Sequence, residues 1–470
     1  MQLVSLKDRA RAIVARATDP VDISSLAAFR VLFGLMMCFG SLRFIYYGWV
    51  DQFFVKPDFF FSYWGFDWIQ VLPPTWMYAV FIALAVLSLM VALGLFYRVA
   101  IIGFFLLFTY VELIDVANYL NHYYLVSLIA FLLCFLPANA AWSVDARLRP
   151  QIRREKTAAY HVWLLRFQVG TVYFFAGVTK IGTDWLVHAQ PLNIWLSSRV
   201  DTPLVGSFLD LWWVALAMSW AGLLNDLLMP FLLSWKKSRP WAYATVVVFH
   251  LATGYLFRIG TFPIIMIVSA TIFFGPSWPK RWVSKRFWPS GGNASQARKS
   301  ERRPLRKLAL AAAATYCLVV LVVPLRFLAY PGNVLWHEQG MRWSWKVMVR
   351  EKNGAVTFRV KVPGRDKEYR ASPSRYLTSH QEREMSGQPD LILQLAHHIG
   401  EEWQQKGYED VEVRAEALVS LNGRAPKPMI DPEVDLMEVD DGIAPADWIL
   451  DGPTEAPPHL EPLRWARTAR

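Results

Sequence analysis

The sequence predicts an α-helical polytopic membrane domain of about nine transmembrane helices over 1–328, followed by a small β-rich extracytoplasmic domain over 329–470. Three observations lead there. The 470 residues are 54% hydrophobic and 15% aromatic, with 22 tryptophans. That is too apolar for an ordinary soluble protein and suits many membrane interfaces. Runs long enough to cross a bilayer recur along the first two-thirds of the chain. The last third is polar and alternates with period two, as half-buried strands do.

The long apolar runs occupy 25–47, 76–97, 99–117, 120–137, 160–180, 211–234 and 307–328. Two shorter ones, 241–257 and 261–275, form a tight pair around Arg258-Ile259-Gly260-Thr261. A basic segment (Lys7, Arg9, Arg11, Arg16) precedes the first run without a small-residue cleavage site, so that run is expected as a retained helix. Cys38, Cys134 and Cys317 fall in separate runs and form no CxxC pair. This spacing argues against a zinc site or a redox dithiol, and no metal is expected.

A net charge of +11 would suit nucleic acid, but the basic residues crowd short loops between apolar runs. That pattern is membrane topology, so the expected partner is a lipid bilayer and not nucleic acid. The clusters lie at the N-terminus and in 147–156, 236–239 and 280–307, whereas the alternate loops hold little beyond Lys56, Arg199 and Arg258. With nine helices all four clusters share one side, which makes the N-terminus cytoplasmic and the C-terminal domain external. The stretch 284–306 reads as a Ser/Gly-rich basic loop. Beyond it, 356–362 and 411–419 read as strands and 390–406 as a helix.

Polar residues placed by depth give a candidate site. Lys180 ends the run that starts near Tyr160, about 30 Å further along a helix, and so lies at the outer face. Glu112, Asp115, Asn118, Asn121 and His122 flank the loop between the third and fourth runs at the same face. His250 falls near mid-membrane, so Lys180, His122, Asn121 and His250 would line one outward-opening cavity. A lysine there either snorkels to the surface or serves as a base. His122 and Asn121 either cap a helix or bind a ligand, and His250 either bonds a neighbouring helix or supports chemistry. Asp184, four residues after Lys180, is a candidate partner for it. Arg30, Arg43, Arg166 and Asp226 read as structural ion partners.

The stretch Tyr173-Phe174-Phe175-Ala176-Gly177-Val178-Thr179-Lys180 with Asp184-Trp185 resembles the active-site segment of the vitamin K-dependent gamma-carboxylase family, with its HTTM-type membrane domain. Asp115 with Asn121-His122-Tyr123-Tyr124-Leu125 matches as well. So do Ser25-Leu26-Ala27-Ala28-Phe29-Arg30, Leu95-Phe96-Tyr97-Arg98, Trp142-Ser143-Val144-Asp145 and Phe249-His250. Trp343-Ser344-Trp345, Ser420-Leu421-Asn422-Gly423-Arg424 and Asp431-Pro432-Glu433-Val434-Asp435 continue in the same order, so the resemblance covers nearly the whole chain.

This resemblance implies a membrane enzyme that couples oxidation of vitamin K hydroquinone, a quinone-type small molecule, to carboxylation of a glutamate-containing peptide or protein. Oxygen and carbon dioxide are co-substrates. Lys180 would deprotonate the hydroquinone; oxygen would then add, and the oxygenated quinone would be the strong base that removes the glutamate γ-proton. Asn121 and His122 would hold the quinol oxygens, His250 would support them, and Trp343, Ser344 and Trp345 would meet the peptide. Animal members carry a lysine pair where Thr179-Lys180 stands, and the family's cross-domain disulfide has no counterpart here. The C-terminal domain is shorter, and the sequon Asn293-Ala294-Ser295 falls on the cytoplasmic side, which favours a bacterial cytoplasmic membrane. Two rival readings remain open: a hydroquinone epoxidase without carboxylation, and a non-catalytic membrane lipid-binding or transport protein.

Overall fold

The computed structural model describes residues 6–257, 259–282, 303–365 and 367–459. Arg258, and the loop residues 283–302 with the Asn293 sequon, lie outside the described residues.

Every expected apolar run folds as a helix: α1 (Ser24–Tyr46), α2 (Pro74–Leu93), α3 (Tyr97–Ile114), α4 (Asn121–Phe135), α5 (Ala159–Val178), α6 (Trp212–Ser234), α7 (Arg239–Phe257), α8 (Phe262–Ala270) and α9 (Arg303–Val322). Among the described residues, five helices are long and apolar enough to cross a membrane: α1, α2, α3, α6 and the run Lys307–Ala329. The others fall short for visible reasons. Helix α4 has 15 residues, about 22 Å. Helix α5 carries His161, Arg166 and Gln168 among its apolar residues.

Local chemistry fixes the helix ends. Helix α2 begins with proline and stops at Gly94, whose φ of 64° is a left-handed C-terminal cap. Arg30 is fully buried and donates to the carbonyls of Val91 and Ala92, both at 2.7 Å, and to Trp142 at 2.6 Å and Ala138 at 3.1 Å. Arg166 likewise donates to the carbonyls of Ile272 and Phe274. Both arginines therefore satisfy backbone at helix ends instead of pairing with acids. Helices α1 and α2 touch through Gly34, where a Cβ would lie 2.5 Å from the Ala92 nitrogen.

Strands β1 (Pro20–Asp22) and β2 (Lys156–Ala158) pair at one end of the bundle, and Lys280 bonds Asp22 there. The opposite end carries the C-terminal sheet. Strands β3 (Lys352–Lys361), β4 (Tyr369–Ala371), β5 (Glu412–Leu421) and β6 (Lys427–Pro428) run antiparallel in the order β4-β3-β5-β6. Alternation places Phe358, Val360, Val413, Ala415 and Ala417 on the buried face. Helix α10 (Ser379–Met385) precedes α11 (Pro389–Gln405), which buries Leu391, Ile392, Leu395 and Ile399 in the same core. That core also takes in Phe61, Tyr63, Val116 and Ala117 from loops of the helical bundle. Gln394 bonds both backbone groups of Ser62, and Gln381 bonds the Phe59 carbonyl and the Asp115 carboxylate. The sheet is thus rooted in the bundle.

Candidate functional site

Helix α5 ends at Val178, and the chain turns so that Lys180 points back into the bundle, 5% exposed. Gly177 makes this possible: a Cβ there would lie 2.6 Å from the Leu227 nitrogen, so α5 and α6 meet backbone to backbone. The contact brings Asp226 of α6 to Lys180, with Nζ 2.9 Å from Oδ2. Nζ also donates to the Ala176 carbonyl at 3.0 Å and to the Val347 carbonyl at 3.4 Å, and lies 5.3 Å from the Trp185 ring centroid. Lys180 does not snorkel.

Asp184 is not its partner. Beyond the end of α5 the four-residue spacing no longer describes a helix face, and Asp184 turns to the C-terminal region. It accepts two hydrogen bonds from Arg424, at 2.6 and 2.8 Å, and one from Asn422 at 2.8 Å. Burial would raise its carboxyl, but the bonds from Arg424 and Asn422 overcome this and hold it below the usual range.

Lys180, Asp226 and His250 line one largely apolar cavity of about 70 Å³. His250 bonds the Tyr173 hydroxyl at 2.9 Å through Nε2, while its buried Nδ1 has no partner among the described residues. Asn121 and His122 line a second cavity of about 540 Å³ with Arg43, Glu112 and the π-helical turn Asp51–Val55. Asn121 opens α4, but its side chain accepts from the Tyr119 hydroxyl at 3.1 Å and does not cap the helix. His122 packs its ring on Phe262, 5.7 Å between centroids, and Phe262 in turn lies 5.3 Å from the His250 ring. The single expected cavity is therefore two, with Phe262, Val347 and Met348 in the walls of both.

Trp343, Ser344 and Trp345 lie in the strap that leads from the last membrane helix to the sheet. Trp345 is 1% exposed and stacks on Tyr124. Trp343 stacks on Tyr63 and donates its backbone N–H to the Tyr119 hydroxyl at 2.8 Å. Ser344 is buried and donates to the Gly340 carbonyl. These three pack the strap in place, and the next three residues do the lining. Trp343, Trp345 and Met348 adopt φ of 63°, 56° and 54°, a conformation that costs side chains roughly 1–3 kcal/mol each and persists where the surroundings impose it. Lys346 and Met348 face a third cavity of about 420 Å³ on the sheet side, so Met348 borders all three.

Sequence reasoning did not single out Tyr173, Phe262, Val347, Met348 or Lys346. Tyr173 lay inside the quoted lysine segment, and the strap residues directly follow the Trp-Ser-Trp run. Phe262 gave no signal, because a phenylalanine in an apolar run is unremarked. Among the described residues no group of three or more His, Cys, Asp or Glu is placed to hold a metal.

Two family models match the chain. The HTTM domain matches residues 18–278, and the vitamin K-dependent gamma-carboxylase lumenal domain matches residues 305–455. No solved structure matches.

Proposed function

Because the chain belongs to the vitamin K-dependent gamma-carboxylase family, we propose that it is a membrane enzyme that oxidises vitamin K hydroquinone to the epoxide and thereby carboxylates peptidyl glutamate. The observation that carries this reading is the placement of Lys180. Its ammonium is buried at the bundle end, paired with Asp226 and bonded to Val347 of the strap. An apolar cavity lies on its membrane side, and a polar one lies across Met348 toward the sheet.

The lining has the character of a quinol site, mostly aromatic and aliphatic with a few convergent polar groups, and the ring finds room where this small cavity joins the 540 Å³ one beyond Phe262 and Met348. The unpartnered Nδ1 of His250 and the imidazole of His122 are free to bond a ligand hydroxyl. Vitamin K hydroquinone, when bound, supplies with oxygen the strong base that a glutamate γ-proton requires. Lys180 takes the first proton. Asp226, 2.9 Å away, is placed to pair with the ammonium that this proton creates. Asn121 and His122 line the adjoining cavity, and they orient the quinol oxygens and stabilise negative charge once the wall of Phe262, Val347 and Met348 opens between the two. Trp343 and Trp345 hold the strap that seals the site from water.

The basic loops at the end away from the sheet support a cytoplasmic position for that end and an external one for the sheet, and the membrane we propose is a bacterial cytoplasmic one. The test is purified protein in lipid vesicles supplied with vitamin K hydroquinone, oxygen, labelled carbon dioxide and a glutamate peptide. Epoxide formation with label incorporation is expected. Absence of epoxide would overturn the reading.

A further inference from the structure

Lys346 stands apart from every other charge around the sheet-side cavity. Arg342 forms an ion pair with Asp390. Arg350 and Lys352 share Glu338, at 2.9 and 3.0 Å. Glu351 accepts from the Trp195 indole at 2.7 Å, and Arg383 pairs with Glu384 at 3.4 Å. Lys346 has no carboxylate and no hydrogen bond among the described residues; its Nζ rests 3.8 Å from the centroid of Phe327. Yet the residue is only 9% exposed and borders the cavity. An ammonium at the wall of a cavity, with no anion of its own, is placed to pair with one that enters.

Its neighbours sharpen the point. The Val347 carbonyl reaches Lys180, while Lys346 faces the other side of the strap, beside a cavity that also touches Asn121 and Tyr119. Successive residues thus serve opposite compartments of the site. We propose that Lys346 is the anchor for the side-chain carboxylate of a glutamyl peptide entering the sheet-side cavity, which rests on the function proposed above. A single ammonium on that carboxylate fixes the γ-carbon next to the strap. It also offsets the negative charge that spreads onto the carboxylate as the γ-proton leaves.

Burial pushes the Lys346 ammonium down to about 8. Deprotonation therefore removes the anchor within an accessible range, whereas an arginine in its place would keep its charge.

The experiment measures binding of two capped pentapeptides, one with a central glutamate and one with glutamine, to the full-length protein in detergent. Wild-type protein is expected to prefer the glutamate peptide by about 10–100-fold and to lose that preference above pH 8. Lys346→Met should bind both peptides alike. Lys346→Arg should keep the preference and hold it above pH 8, which also covers the case in which the methionine variant fails to fold. If the wild type does not discriminate, the glutamyl-peptide reading falls and the anchor with it. If the wild type discriminates but Lys346→Met does so equally, or the arginine variant loses the preference at neutral pH, only the anchor is overturned.

Discussion

Lys180 and Asp226 are separated by 46 positions in the chain and by 2.9 Å in space, with side chains only 5% and 10% exposed. Both oxygens of Asp226 are engaged, one by Lys180 and the other by the Asn225 amide at 3.1 Å. Removing one partner leaves an uncompensated buried charge, which typically costs about 3–5 kcal/mol. Asp226→Asn should therefore destabilise the protein strongly, and Lys180→Met with Asp226→Asn should be more stable than the sum of the single effects implies. Thermal unfolding in detergent reads this out. Additive losses would mean the two groups do not couple.

If Lys180 accepts the quinol proton, Lys180→Ala should lower epoxide formation by about 10²–10⁴-fold. Lys180→Arg should fail nearly as badly, since a guanidinium stays protonated. An active arginine variant would remove the base role and leave Lys180 as a counter-ion.

His122 is assigned to placing the quinol and not to proton removal. His122→Ala should slow turnover by about 10²–10³-fold. A strong exogenous base such as cyanide should rescue Lys180→Ala and leave His122→Ala slow. Equal rescue of both would make His122 a base as well.

The Asp184–Arg424 clamp carries a pH signature. Asp184 has a depressed carboxyl in the folded state, so it contributes stability above the ordinary carboxylate value of about 4, lost as pH falls through its lowered folded value. Arg424→Ala should cost about 2–5 kcal/mol at neutral pH. Its penalty should shrink toward zero in acid, where the wild type has lost the same bonds. Unfolding midpoints of both proteins from neutral pH down to about pH 2, below the ordinary carboxylate value, would test this, and a penalty independent of pH would separate Arg424 from the titration of Asp184.

Topology is open to cysteine labelling in a variant lacking Cys38, Cys134 and Cys317. A cysteine at exposed Glu409 should react with an impermeant reagent in intact cells, and one at exposed Lys236 only after permeabilisation. The reverse pattern would invert the protein.

What the sequence made legible follows from the range of the forces involved. The helices were readable because burial in lipid imposes long apolar runs, and the strands at 352–361 and 412–421 because a half-buried face imposes alternation. Lys180 was conspicuous as a charge at the end of such a run. Its partner was not, because Asp184 is near in sequence while Asp226 is near only once Gly177 lets α5 and α6 touch. The division of the site by Phe262, Val347 and Met348 was equally hidden: two distant segments create it, and each is apolar where apolar residues are expected. The tryptophans of the strap announced an interface. Nothing local revealed that they would turn inward and leave the lining to the residues after them.

Val347 and Met348 wall the cavities, yet they are made after α5, α6 and α7 have all been synthesised. A chain still on the ribosome can therefore have Lys180, Asp226 and His250 in the bilayer with one side of their chamber missing. Lys180 is closed in only when the strap returns over it and Arg424 reaches Asp184. Completion of the polypeptide is in this sense the last step of building the site.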